Sequence, residues 1–113
     1  VLFARLLRIV DPLRVRQYQS VQHPTIGQLR DLVRSLNYVV SIHAAEELDD
    51  DNLTIFDLET IILTGKITAR QRDRKTREVK CIVSGVTLAG APAETVIKLG
   101  PTGKLVVITV YLA

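Results

Sequence analysis

Residues 100–112 read Gly100-Pro101-Thr102-Gly103-Lys104-Leu105-Val106-Val107-Ile108-Thr109-Val110-Tyr111-Leu112, and this stretch decides the fold. Gly-Pro-Thr-Gly is turn chemistry, supplying a pre-set φ and two flexible positions. The eight residues from Leu105 onward are rich in β-branched side chains, which suit a pleated surface. Working backward, the same two-residue period recurs. Ile67–Arg72 reads as a strand with Thr68, Arg70 and Arg72 on one face. A turn follows at Asp73–Thr76, then a longer strand at Glu78–Leu88, a turn at Ala89–Pro92 and a strand at Ala93–Leu99. Connections this short join antiparallel neighbours, because parallel ones need a crossover of about a dozen residues. The expectation is a four-stranded antiparallel meander. In its last strand, alternation sends Val106, Ile108, Val110 and Leu112 toward the helices. It sends Thr109 and Tyr111, with Leu105 and Val107, to the open face. Gly85 inside the second strand predicts a bulge or the close approach of another backbone.

Upstream the period lengthens. Thr25 followed by Gln28 is a capping-box pattern, and Ile26, Leu29, Leu32, Val33 and Leu36 form one apolar stripe, predicting a helix over 25–36. Tyr38–Ile42 is either a brief extended segment or the lead-in to a second helix capped by Ser41, with 43–48 as its body. Asp49–Asn52 ends that helix. Thr54 and Asp57 open a third, whose stripe is Ile55, Leu58, Ile61 and Ile62, and Gly65 occupies the place of a left-handed cap. The pattern predicts an α+β fold, with two to three N-terminal helices packed on one face of the sheet.

At 113 residues, 47% apolar and 24% charged, the chain has the composition of one globular domain. Residues 23–113 form that domain. Residues 1–22 are apolar with interspersed arginines and broken by Asp11-Pro12. They read as an arm, a partner-binding helix or appended sequence, and Arg5 and Arg8 argue against a signal peptide. No apolar run reaches eighteen residues, so no membrane span is expected. The single cysteine, Cys81, forms no internal disulfide, which fits a reducing cytoplasm. Net charge is only +3 but uneven. Residues 41–60 carry seven acidic and no basic side chains, and residues 66–80 carry seven basic and two acidic. Such blocks predict a polarised surface, or an acidic helix and a basic hairpin that lie together and attract.

Several chemistries are absent. His23, His43 and Cys81 have no zinc-site spacing. Asp49–Asp51 lack the glycine and distal glutamate of a calcium loop. There is no nucleotide-binding glycine motif, and Cys81 alternates with Val79 and Val83 as a buried residue does. No cofactor is implied. The remaining polar set is His43, Thr109 and Tyr111 as acid–base candidates, with Arg70, Arg72 and Lys80 as phosphate binders. RNA cleavage through the 2′-hydroxyl requires little more: a base, an acid and cations. Each residue also has a plain structural reading. His43 can be a packed imidazole on a backbone carbonyl, the arginines a solvated strand face, and Tyr111 a packed ring with a wet hydroxyl.

The ordered series Ser41-Ile42-His43-Ala44, Leu53-Thr54, Thr64-Gly65-Lys66-Ile67, Val83-Ser84-Gly85, Gly90 and Ile108-Thr109-Val110-Tyr111 resembles a small bacterial domain-of-unknown-function family grouped with RelE-like and BrnT-like toxins. The resemblance spans about residues 26–112. It implies a RelE-like α+β fold and a metal-independent toxin-type endoribonuclease whose partners are RNA and an antitoxin. The family carries basic residues where this chain has Glu47 and Asp50 or Asp51, and acid there would repel RNA. The alternative expectation is therefore a catalytically inactive protein-interaction module, binding a partner or self-associating through the N-terminal segment.

Overall fold

In a computed structural model, residues 24–113 are described. The N-terminal arm expected at 1–22, and His23, lie outside them. The elements run α1 (Ile26–Arg34), β1 (Tyr38–Val40), α2 (Ile42–Asp50), α3 (Ile55–Thr64), β2 (Lys66–Arg72), β3 (Val79–Val86), β4 (Pro92–Leu99) and β5 (Leu105–Leu112). All three helix starts follow local chemistry. Thr25 and Gln28 cap one another reciprocally, Thr54 and Asp57 do the same, and the Ser41 hydroxyl accepts from Ala44 N. Asp57 also accepts from Leu88 N at 3.0 Å, tying the third helix to the β3–β4 turn. These backbone bonds hold its carboxyl below the usual range, those from Thr54 first and from Leu88 second.

The first two helices end in the same motif. Asn37 N donates to Leu32 O and Leu36 N to Val33 O; Leu53 N donates to Leu48 O and Asn52 N to Asp49 O. This arrangement demands a left-handed residue one place past the cap. Leu36 and Asn52 both sit at φ 58°. Asparagine tolerates that geometry, whereas leucine is strained there.

The sheet has five strands, ordered β1-β5-β4-β3-β2, not the expected four. The meander β2–β5 is antiparallel as expected. Tyr38–Val40 adds a fifth strand beside β5, parallel to it, with Tyr38 opposite Leu105 and Val40 opposite Val107. Here the crossover that a parallel pair requires is the rest of the domain, α2 through β4. Tyr38 also donates its hydroxyl to Glu59 Oε2 of α3 at 2.5 Å. Burial, and then that carboxylate, push its phenol up to about 12.

The core lies between the helices and one sheet face. Leu29, Val33, Ala44, Leu48, Leu58, Ile61 and Ile62 meet Cys81, Val83, Ala93, Ile97, Leu105, Val107 and Val110. Leu105 and Val107 thus face the helices, opposite to the expectation from simple alternation. The pairing shifts where Val96 faces Thr109 but Ile97 faces Val107. Ile108 is the extra residue of a β-bulge, and it reverses the faces midway along the strand. Thr109 and Tyr111 still reach the open face, while Val110 returns to the core.

Gly65 does not serve as a left-handed cap; its φ is −87°. It and Gly85 serve close approach instead. A Cβ on Gly65 would lie 2.8 Å from Ser84 O and 2.7 Å from Val83 Cγ1, and one on Gly85 would collide with the Ile61 carbonyl. α3 therefore seats directly on β3, the close-approach alternative anticipated for Gly85.

Three outcomes follow from these placements. Gly85→Ala should cost about 1–3 kcal/mol by overpacking, and Leu36→Gly should stabilise by roughly 0.5–1 kcal/mol, both read from urea unfolding. Because the folded Asp57 pKa is depressed, its contribution is present above the unfolded value of ~3.9 and is lost as pH falls through the lower folded value. Asp57→Asn should therefore flatten the acid limb of a stability–pH curve measured between about pH 2 and 5.

Candidate functional site

The site is assembled where α2 begins beside the bulge of β5. Ser41 N donates to Val107 O, and its hydroxyl donates to Ile108 O, each at 3.0 Å. The same hydroxyl oxygen caps α2, so the first turn is fixed against the strand. His43 projects from that turn with its side chain 69% exposed. One turn on, Glu47 Oε1 lies 3.3 Å from His43 Nε2, the (i, i+4) spacing that lets helix neighbours meet.

Glu47 is held from the other side by the sheet. Its Oε1 accepts from the Thr109 hydroxyl and, at 3.0 Å, from Val110 N. The reason is the shortness of β1. Its last partner on β5 is Val107, so past that point this margin of β5 has no strand beside it. The Glu47 carboxylate takes the place of the missing strand's carbonyl. A free edge N–H, a threonine hydroxyl and an imidazole thereby share one carboxylate.

From Tyr111 a polar row crosses the open face. Tyr111 is opposite Glu94, Glu94 opposite Ser84, and Ser84 opposite Lys66. Ser84 donates to Glu94 Oε2 at 2.5 Å, and Thr68 Oγ1 lies 3.5 Å from Ser84 Oγ. A hydrogen bond to Glu94 raises the Tyr111 phenol above its ordinary value; desolvation adds to this, as do the charges of Glu94 and Glu47. Tyr111 is a neutral phenol across the physiological range. The next row, Ala69, Ile82, Val96 and Thr109, is mostly apolar. The one after it runs Gln71, Lys80, Lys98 and Val106, with Lys98 paired to Glu78 at 2.8 Å.

Of the residues expected to form the site, His43 and Thr109 meet Glu47, while Tyr111 is partnered by Glu94 and feels the Glu47 charge. Lys80 shares the open face, one row from Thr109 and two from Tyr111. Arg70 and Arg72 are elsewhere. A register shift between Ile67 and Ala69 leaves them opposite Cys81 and Val79, on the helix side, so Thr68, Arg70 and Arg72 do not share one face as expected. Arg70 Nη2 donates to Pro24 O at 3.1 Å, and Arg70 stands opposite Cys81 across the β2–β3 pair. Burial pushes the Cys81 thiol up, partly offset by the guanidinium. Glu47, Glu94, Ser84 and Lys66 were missed. The His43/Glu47 spacing was visible in sequence, but the cross-strand row required the register. A cleft of about 440 Å³ between Thr76–Val79 and Leu99–Gly103 lies toward the other end of β3, away from His43. No three His, Cys, Asp or Glu among the described residues are placed to hold a metal ion, and no described helix is long and apolar enough to cross a membrane.

Fold and site together define a small α+β domain with a hydroxyl–carboxylate–imidazole cluster on an open sheet face. A family model described as "Domain of unknown function (DUF4258)" matches residues 40–112, from the end of β1 to the end of β5, and the chain belongs to that family. No curated protein and no solved structure matches it.

Two substitutions test the cluster. Glu94→Gln should return the Tyr111 phenol toward the ordinary ~10, followed through the ring NMR signals of Tyr111 during an alkaline titration. Glu47→Ala strands Val110 N and should cost about 1–3 kcal/mol in urea unfolding.

Proposed function

We propose that this domain is a metal-independent endoribonuclease of toxin type that draws single-stranded RNA across the open face of its sheet. The observation that carries the reading is the His43–Glu47 pair joined to Thr109, with neutral Tyr111 on the same strand. In the proposed reaction, His43 takes the 2′-hydroxyl proton and Glu47 stabilises the resulting imidazolium. The 2′-oxygen attacks phosphorus. The 5′-oxygen leaves and receives a proton from the imidazolium, giving a 2′,3′-cyclic phosphate and a 5′-hydroxyl end. Tyr111 positions the sugar–phosphate through its hydroxyl. Lys80 and Lys66, rather than Arg70 and Arg72, supply cationic charge on this face.

A second reading, a catalytically inactive interaction module, draws on two features. Glu47 and Glu94 place two carboxylates whose charges both reach Tyr111, where a phosphodiester would lie. Large apolar side chains are also exposed: Ile42 at 80%, Leu88 at 65% and Phe56 at 63%. Burying such side chains is a common role of protein interfaces.

Incubation of the full chain with a single-stranded RNA oligonucleotide in excess chelator separates the two. The nuclease reading expects cyclic-phosphate and 5′-hydroxyl ends, a rate lowered about 10²–10⁴-fold by His43→Ala, and a smaller loss for Tyr111→Phe. RNA left intact, or cleaved equally by His43→Ala, overturns it and leaves the interaction module.

A further inference from the structure

The two charge blocks do not neutralise one another within the fold. α2 packs on β5 at one margin of the sheet, and the β2–β3 hairpin forms the other margin. Three strand spacings, roughly 14 Å, separate β5 from β2, more than the ~8 Å over which exposed charges interact at physiological salt. Glu46, Asp49, Asp50 and Asp51 are exposed at the first margin, and Arg72, Arg74, Lys75 and Arg77 at the second. Among the described residues the ion pairs are Arg34–Asp31, His43–Glu47 and Lys98–Glu78. None joins the two blocks.

The acidic end is also placed against its own helix. Asp49 and Asp50 occupy the last turn of α2, Asp51 caps it, and no basic residue lies in that turn. The carbonyl end of a helix carries partial negative charge, so carboxylates there are locally unfavourable and a nearby cation relieves them. The hairpin tip offers such cations: Arg72, Arg74 and Arg77 line a shallow hollow with Asp73. We propose that the chain associates head to tail with a second copy of itself, the acidic end of α2 in one copy seating on the basic β2–β3 hairpin of the next. The two surfaces differ and sit on opposite margins, so the contact is heterologous and propagates unless its rotation closes a ring. Charge sets its orientation and speed, and salt weakens it.

Sedimentation velocity of the full chain tests this. At about 0.01 M salt the sedimentation coefficient should rise with protein concentration, and at about 1 M salt it should settle at the monomer value. The triple variant Asp49→Lys, Asp50→Lys, Asp51→Lys should be monomeric alone, as should Arg74→Glu, Lys75→Glu, Arg77→Glu, each with the circular dichroism of the parent. Mixed in equal amounts, the two should associate again. A monomer at every salt concentration overturns the proposal. So does association that survives the α2 reversal, or that disappears once a nuclease removes co-purified nucleic acid.

Discussion

The one extra residue at Ile108 governs both the interior of this domain and its open face. Without it, the strand that delivers Leu105 and Val107 to the core would deliver Thr109 and Tyr111 there too. Two hydroxyl groups would then need partners in an apolar layer, at a cost of several kcal/mol. The bulge divides the strand into an inward-facing first half and an outward-facing hydroxyl pair, while Val110 still closes the core. Its geometry is supported locally. Ser41 bonds the Ile108 carbonyl, and buried Thr95 bonds the Thr109 carbonyl at 2.9 Å. Glu47 meets the next backbone N–H. Each of these groups would otherwise be an unpaired polar atom near the core.

This dependence explains how much of the molecule could be read from its residues. Helix starts were legible because capping is local: Thr25 with Gln28, Ser41, and Thr54 with Asp57 each act within one turn. The meander was legible because its turns are short. What escaped was long-range. Nothing near Tyr38–Val40 announces that its partner is Leu105–Val107, and three residues are too few for a periodic signal. Bulges at Thr68 and Ile108 shift a period-two pattern by one place without altering its composition, so the facing of Arg70, Arg72, Leu105 and Val107 was inverted. Thr109 and Tyr111 were placed correctly because both lie beyond the shift. Gly65 and Gly85 were marked as special, but whether they served torsion or proximity depended on where α3 comes to rest.

Glu47 links architecture to chemistry. One carboxylate extends the hydrogen-bonding pattern of a strand past its last neighbour, orients an imidazole and receives a hydroxyl. Replacing it with a basic side chain would forfeit the acceptor and change the local charge together. The chemistry available on the open face is thus coupled to how the margin of the sheet is sealed.

The pairing of β1 with β5 has a consequence for biogenesis. Tyr38 and its partner Leu105 stand near opposite ends of the described chain, and the first part of β5, Leu105–Val107, lies between β1 and β4. During synthesis the helices and the first hairpins can organise as they emerge. β1, the donors to Glu47 and one wall of the interior must wait until β5 has been translated and has emerged from the ribosome. The nascent polypeptide therefore presents an unsealed β4 and a partly uncovered core until β5 emerges, the interval in which chaperone engagement matters most.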